Sequence, residues 1–243
     1  MKRFILIALT LALLIAICGC NNAPGRPMAD SEAVRPNEVL NFDTLYQQNC
    51  AGCHGDQGKG GAAIALNSPV YLQIADDATI RRVTAQGVPG TAMPAFAESS
   101  GGMLTDEQIS AIVGGIRSRW TKPKHDFLDP APPSYQALAP GNPQHGDSVY
   151  GTYCASCHGA AGRGGSHAGS IVDDSFLTLA SDQYLRTIVI VGRPELGAPD
   201  WRGNVSGKPM SQQDISDVVA WLSAQRPKPA LSSSTKSPTG GNQ

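Results

Sequence analysis

The strongest constraint on this chain is a six-residue run written twice, Cys50-Ala51-Gly52-Cys53-His54-Gly55 and Cys154-Ala155-Ser156-Cys157-His158-Gly159, at an offset of 104 residues. Cysteines at i and i+3 with a histidine at i+4 share one face of a helical turn. The flanking sequence repeats too. Leu45-Tyr46-Gln47-Gln48-Asn49 precedes the first run and Val149-Tyr150-Gly151-Thr152-Tyr153 the second. Glycine-rich loops follow (Gly58 to Gly61, Gly162 to Gly165), then amphipathic stretches at Ile80-Arg81-Arg82-Val83 and Leu185-Arg186-Thr187-Ile188-Val189. Each copy closes on a helix that starts at an N-cap, Thr105 or Ser211; only the first has the glutamine three positions on, Gln108, that completes a capping box. Ile109, Ile112, Val113 and Ile116 recur at helical spacing, as do Ile215, Val218, Val219 and Leu222. The helix offset is 106, so the second copy carries a net two-residue insertion.

C-x-x-C-H is the attachment signature for c-type haem. The two thiols form thioethers with the haem vinyl groups while the histidine presents its imidazole to iron. A structural disulfide accounts for each cysteine pair but not for an adjacent histidine, twice. A zinc ribbon brings its pairs within roughly 15–20 residues, far closer than these. Composition agrees with a bound apolar group. With 27 glycines, 18 prolines and only 6% aromatics in 243 residues, each copy of about 80 residues is poor in core-forming side chains. Porphyrin supplies what they lack, so neither half is expected to fold without haem. A net charge of −1 excludes a nucleic-acid-binding polycation.

Lys2 and Arg3 precede an apolar run from Phe4 to Ile17, then Cys18-Gly19-Cys20. A helix of that length reaches about 21 Å, short of the roughly 30 Å hydrocarbon core. Residues 1–19 read as a secretory signal. Ile17-Cys18-Gly19-Cys20 resembles a bacterial lipoprotein box, which implies lipidation of Cys20 and tethering at the outer, periplasmic face of a membrane. An uncleaved anchor helix is the alternative. Residues 20–37 read as a flexible stalk, 38–120 as the first domain and 121–140, with five prolines, as a semi-rigid linker. The second domain spans 141–226, and 227–243 form a polar tail expected to be disordered.

Each copy resembles a class I cytochrome c domain. The resemblance implies an all-α architecture of two tandem domains with long loops, crossing N- and C-terminal helices in each, and two covalently bound haem c groups. Cys50, Cys53 and His54 match the attachment residues and proximal ligand, and Met93, in Gly90-Thr91-Ala92-Met93-Pro94, matches the distal ligand. In the second copy Cys154, Cys157 and His158 match, but aligning Gly87 with Gly192 puts Ala198 at the place of Met93. Alanine cannot ligate iron. Met210 is the nearest thioether, and it aligns with Leu104. It is read either as the second iron's ligand or as an apolar residue stapling the start of the last helix. His167 is a further candidate, read more readily as an exposed loop histidine, and a five-coordinate iron completes the set. His125 and His145 read as surface residues.

Two haems on an exported, tethered chain imply single-electron transfer, between a quinol-oxidising complex and a terminal oxidase or soluble cytochrome. The tether leaves both a shuttle and a permanently docked subunit open. The other reading is an enzyme: a peroxidase-like or small-gas-binding dihaem protein using an open position at the second iron. No Ser/His/Asp arrangement, phosphate loop or hydride-cofactor fingerprint is present.

Overall fold

A computed structural model describes residues 34–121, 130–203, 205 and 207–227. The signal segment, Cys20, most of the stalk, His125 and the tail beyond 227 lie outside the described residues. Residues Met1–Glu38 form a separate unit, in which a 3-10 turn at Pro36–Glu38 and an Arg35–Glu38 ion pair are described. Both copies of the repeat belong to the other unit, Val39–Gln243. No described helix is long and apolar enough to cross a membrane.

The described residues form ten α-helices and no strand. In the first copy these are α1 (Phe42–Asn49), α2 (Ala51–His54), α3 (Pro69–Ile74), α4 (Asp77–Gln86) and α5 (Asp106–Trp120). The second copy repeats the order as α6 (Pro143–Tyr153), α7 (Ala155–His158), α8 (Asp174–Leu179), α9 (Asp182–Val191) and α10 (Gln212–Ala224). Side-chain caps set the starts. Asn41 Oδ1 accepts from Thr44 N–H at 2.9 Å, and Asn142, followed by Pro143, caps α6. The capping box of α5 forms between Thr105 and Gln108. Contrary to the expectation from sequence, α10 has one as well: Ser211 N–H donates to Asp214 Oδ2 at 2.8 Å and Asp214 N–H to Ser211 Oγ at 3.0 Å. Aspartate is short, but its carboxylate reaches back across one turn as the glutamine amide does.

The first and last helices of each copy pack together, and the two contacts exchange large for small. In the first copy Phe42 on α1 lies against Gly115 on α5, where an added Cβ would sit 2.0 Å from the ring. At the aligned positions of the second copy, Gly146 on α6 faces Trp221 on α10. Trp221 then stacks on Tyr150 with ring centroids 4.4 Å apart. Trp120 meets Phe42 and Tyr46 edge-on.

An arginine ties the middle helices to the last in each copy. Arg117 on α5 donates to the carbonyls of Leu72 and Ala75 and to the Asp77 carboxylate. In the second copy Arg226, just past α10, makes the same three contacts with Leu177, Ala180 and Asp182. Each guanidinium satisfies carbonyls left over at a short helix's end.

The copies share apolar packing. Ile190, Val191, Trp201, Met210 and Ile215 of the second copy join the cluster that holds Ile109, Ile112 and Ile116 of the first. Part of the proline-rich connection is anchored as well. The Arg186 guanidinium, in a residue only 2% exposed, donates to the Ser134 and Tyr135 carbonyls at 2.9–3.2 Å. Gln183 Nε2 donates to Tyr135 O at 2.9 Å.

Candidate functional site

The two C-x-x-C-H runs fold alike. Each first cysteine, Cys50 or Cys154, ends a longer helix and opens the single turn α2 or α7. Cys50 is buried and Cys53 exposed, Cys154 and Cys157 are half-buried, and all four are free thiols. Burial, reinforced by the neighbouring cysteine, pushes the Cys50 and Cys154 thiols up to about 11. They are neutral thiols at neutral pH.

The histidines are oriented by the backbone. His54 Nδ1 lies 2.8 Å from the Ile64 carbonyl oxygen, and His158 Nδ1 lies 3.1 Å from that of Gly169. A carbonyl can only accept, so Nδ1 carries the proton and donates. That leaves Nε2 as the nitrogen available to a metal, the arrangement of a metal-binding imidazole. Burial lowers the pKa of His54, with the Ile64 carbonyl opposing it, which keeps the ring in its neutral, ligating form.

Two further residues brace each turn. Tyr46 OH donates to Gly55 O at 2.7 Å, and Tyr150 OH to Gly159 O at 2.5 Å. Gly55 and Gly159 have φ of +79° and +74°, and a Cβ on either would lie within 2.0 Å of a loop carbonyl. Only glycine fits there. The tyrosines stood in the repeat four residues before each first cysteine, but no pattern in the sequence marks a hydroxyl's acceptor.

The distal loops superpose in hydrogen bonding. Val88 N–H donates to Met93 O at 3.0 Å, and Arg193 N–H to Ala198 O at 2.9 Å. Gly87 and Gly192 lie against the same peptide of these loops, that after Pro94 and that after Pro199. Ala198 therefore takes the place of Met93. Met210 takes the place of Leu104: Leu104 N–H donates to Phe96 O and Met210 N–H to Trp201 O, at 2.8 and 2.9 Å. Met210 is 6% exposed and packed with Trp201 and Ile215. His167 is exposed, its Nδ1 beside Ser166 Oγ at 2.9 Å. His145 is half-exposed as a surface residue, yet its Nδ1 pairs with the buried Asp217 carboxylate at 2.6 Å.

The donors fit covalent haem. Each turn offers two thiols and an imidazole on one face. The buried indole N–H of Trp201 finds no acceptor among the described residues.

A family model described as "Cytochrome C oxidase, cbb3-type, subunit III" matches residues 37–114 and again residues 141–222. The chain belongs to this family. It is an all-α tandem c-type cytochrome, of the kind that holds haem covalently. The cbb3-type cytochrome c oxidase subunit CcoP of Azospirillum sp. (strain B510) is 30% identical over 137 residues, covering 52% of this cytochrome and 41% of that protein. The cytochrome bc1 complex cytochrome c subunit of Mycobacterium tuberculosis (strain ATCC 25618 / H37Rv) is 25% identical over 179 residues, covering 73% and 60%. The alignments thus span about two fifths to three fifths of the relatives' lengths. A chain of the Kuenenia stuttgartiensis reducing HAO-like protein complex aligns with a TM-score of 0.46 and 18% identity, over 76% of this chain and 96% of that one.

Proposed function

We propose that this cytochrome carries two covalently bound haem c groups and passes single electrons between a quinol-oxidising complex and a terminal oxidase or another cytochrome. The observation that carries the proposal is the doubled turn: Cys50, Cys53 and His54, then Cys154, Cys157 and His158, each histidine with Nδ1–H on a backbone carbonyl. Haem supplies one-electron exchange between ferrous and ferric iron. The chain's part is to hold and tune it. The cysteines anchor the macrocycle, His54 and His158 offer Nε2, and the Ile64 and Gly169 carbonyls raise the basicity of those rings. Met93 adds a thioether to the first iron, which favours the ferrous state and raises the potential. The domains run 38–120 and 141–226, and the chain is tethered through a lipid on Cys20 at the periplasmic face. The relatives' names, subunits of an oxidase and of a bc1 complex, support a docked role.

A pyridine haemochrome assay is expected to give two haems per chain, and redox titration two one-electron steps. Fewer than two haems would overturn the proposal. Mass measurement of the mature N-terminus tests Cys20: an acylated terminal cysteine supports the tether, and an unmodified one removes it.

A second reading concerns the second iron, for which Met210 is the candidate sixth ligand. Its seat in Leu104's place, with Ala198 in Met93's, favours an open position and hence a small-gas-binding or peroxidase-like role. Carbon monoxide added to the reduced protein discriminates. A shift in half the haem supports the open site. No shift, with a methionine-to-iron near-infrared band that is lost in Met210→Ala, supports the thioether.

A further inference from the structure

The two distal loops share one fold but differ at their first residue. Val88 opens the loop in the first copy and Arg193 in the second, so the loop itself does not require an arginine. The Arg193 backbone exchanges two hydrogen bonds with Ala198, at 2.9 and 3.0 Å. Both Nη atoms of its side chain reach out of the second copy. Nη2 donates to Gly61 O at 2.7 Å and Nη1 to Ala62 O at 3.2 Å, both in the first copy. Those carbonyls belong to the loop beneath the first attachment turn. The next residue, Ala63, donates its N–H to Cys53 O at 2.9 Å, and Ile64 accepts from His54 Nδ1 at 2.8 Å. The Arg193 side chain is only 13% exposed, and Glu195 pairs with it at 2.5 Å.

We propose that Arg193 is a positioning residue linking the two haem sites: it ties the distal loop of the second to the loop that orients the proximal histidine of the first. This rests on the two-haem reading. The link runs from Ala198 through Arg193 to Gly61 and Ala62, and along the backbone to the carbonyl that holds His54. Geometry rather than charge carries the effect, because Glu195 neutralises the guanidinium locally. An arginine suits the role because its planar fork can bind two adjacent carbonyls while Nε serves the carboxylate. Release of the fork slackens the 61–64 loop and weakens the His54 Nδ1–H bond. A less basic imidazole then donates less to iron, which favours the ferrous state.

The test is the double variant Arg193→Ala/Glu195→Ala in the haem-loaded full chain, which removes both charges together. Three quantities are read: haems per chain, the midpoint potential of each haem, and hydrogen exchange of the Ala63 amide. The haem at His54 is identified by its response to Met93→Ala. With two haems retained, the midpoint of that haem is expected to rise while the other stays in place. Ala63 exchange is expected to quicken by about tenfold or more. Arg193→Lys, which keeps the ion pair without the fork, should shift both readouts in the same direction and less far. Unchanged midpoint and unchanged exchange in both variants, with two haems present, would refute the link. A haem count below two in the unsubstituted protein would instead overturn the two-haem reading, and the link with it.

Discussion

Gly114 and Gly115 stand side by side in α5, and alanine at each is expected to act in opposite directions. Gly114 is exposed, and a Cβ there meets nothing within 4 Å. Gly114→Ala should therefore return only the helix-propensity gain, about 0.5–1 kcal/mol. Gly115→Ala gains the same propensity, but its Cβ would lie 2.0, 2.2 and 2.7 Å from Phe42 Cδ2, Cγ and Cβ. Phe42 cannot swing only its ring tip away, because the clash reaches its Cβ. Overpacking of this kind costs about 1–3 kcal/mol. Moving the ring also loosens its contacts with Tyr46 and Trp120, at centroid distances of 5.5 and 5.8 Å. Each such contact contributes about 0.5–1.5 kcal/mol. The net is a loss of about 2 kcal/mol or more, which lowers the melting temperature by roughly 4–8 °C in a protein of this size. Thermal melts of the haem-loaded variants, followed by far-ultraviolet dichroism, measure both. Adding Phe42→Ala to Gly115→Ala should cost less than Phe42→Ala alone costs the parent. A Gly115→Ala protein as stable as the parent would refute the argument.

Asp217 gives a pH dependence. Burial pushes its carboxyl up, but hydrogen bonds from Asn142 N–H, Gln213 and His145 outweigh that and leave it below the usual range. A depressed folded-state pKa stabilises above the unfolded value, about 3.9, and that contribution disappears as pH falls through the folded value. Asp217→Asn should therefore be clearly less stable than the parent at pH 7, with the gap in urea midpoint narrowing in acid below the unfolded pKa. Arg226→Ala should destabilise the second copy by about 2 kcal/mol through the stranded carbonyls of Leu177 and Ala180. Ser223→Arg should restore part of that loss, since Ser223 aligns with Arg117 and already donates to Asp182 at 2.7 Å. Urea titration of the three proteins decides it. Tyr46→Phe should cost about 1 kcal/mol with haem attachment intact, measured as a melting shift at constant haem content.

The parts legible in the sequence were those kept in register. The repeat of Cys50–Gly55 at Cys154–Gly159 located both turns, and the spacing of Ile109, Ile112, Val113 and Ile116 located α5. Ala198 was matched to Met93 by counting from aligned glycines and Met210 to Leu104 by counting back from the aligned helix starts, and the loop hydrogen bonds put them in those places. The capping box at Ser211 was missed because a glutamine was required where an aspartate suffices. The partners of His54 and His158 were not legible at all. They are backbone carbonyls, which every residue has and no residue type announces.

What the repeat conserves in space without register is harder to read and carries more of the packing. The ties to the short middle helices come from Arg117 in one copy and Arg226 in the other, and alignment of α5 with α10 puts Ser223, not Arg226, opposite Arg117. A column of aligned residues shows an arginine lost, yet the carbonyls at the aligned pairs Leu72 and Leu177, Ala75 and Ala180 are still served. The contacts between first and last helices behave likewise: Phe42 on Gly115 in one copy, Gly146 against Trp221 in the other. Taken singly, each position looks unconserved. Taken as pairs, one large and one small partner are kept, because close-packed helices constrain the summed volume at a contact and not its division between the two sides. Arg193 shows the opposite case. The loop that bears it is kept in register while the side chain is new, and that side chain hydrogen-bonds across from the second copy to the first.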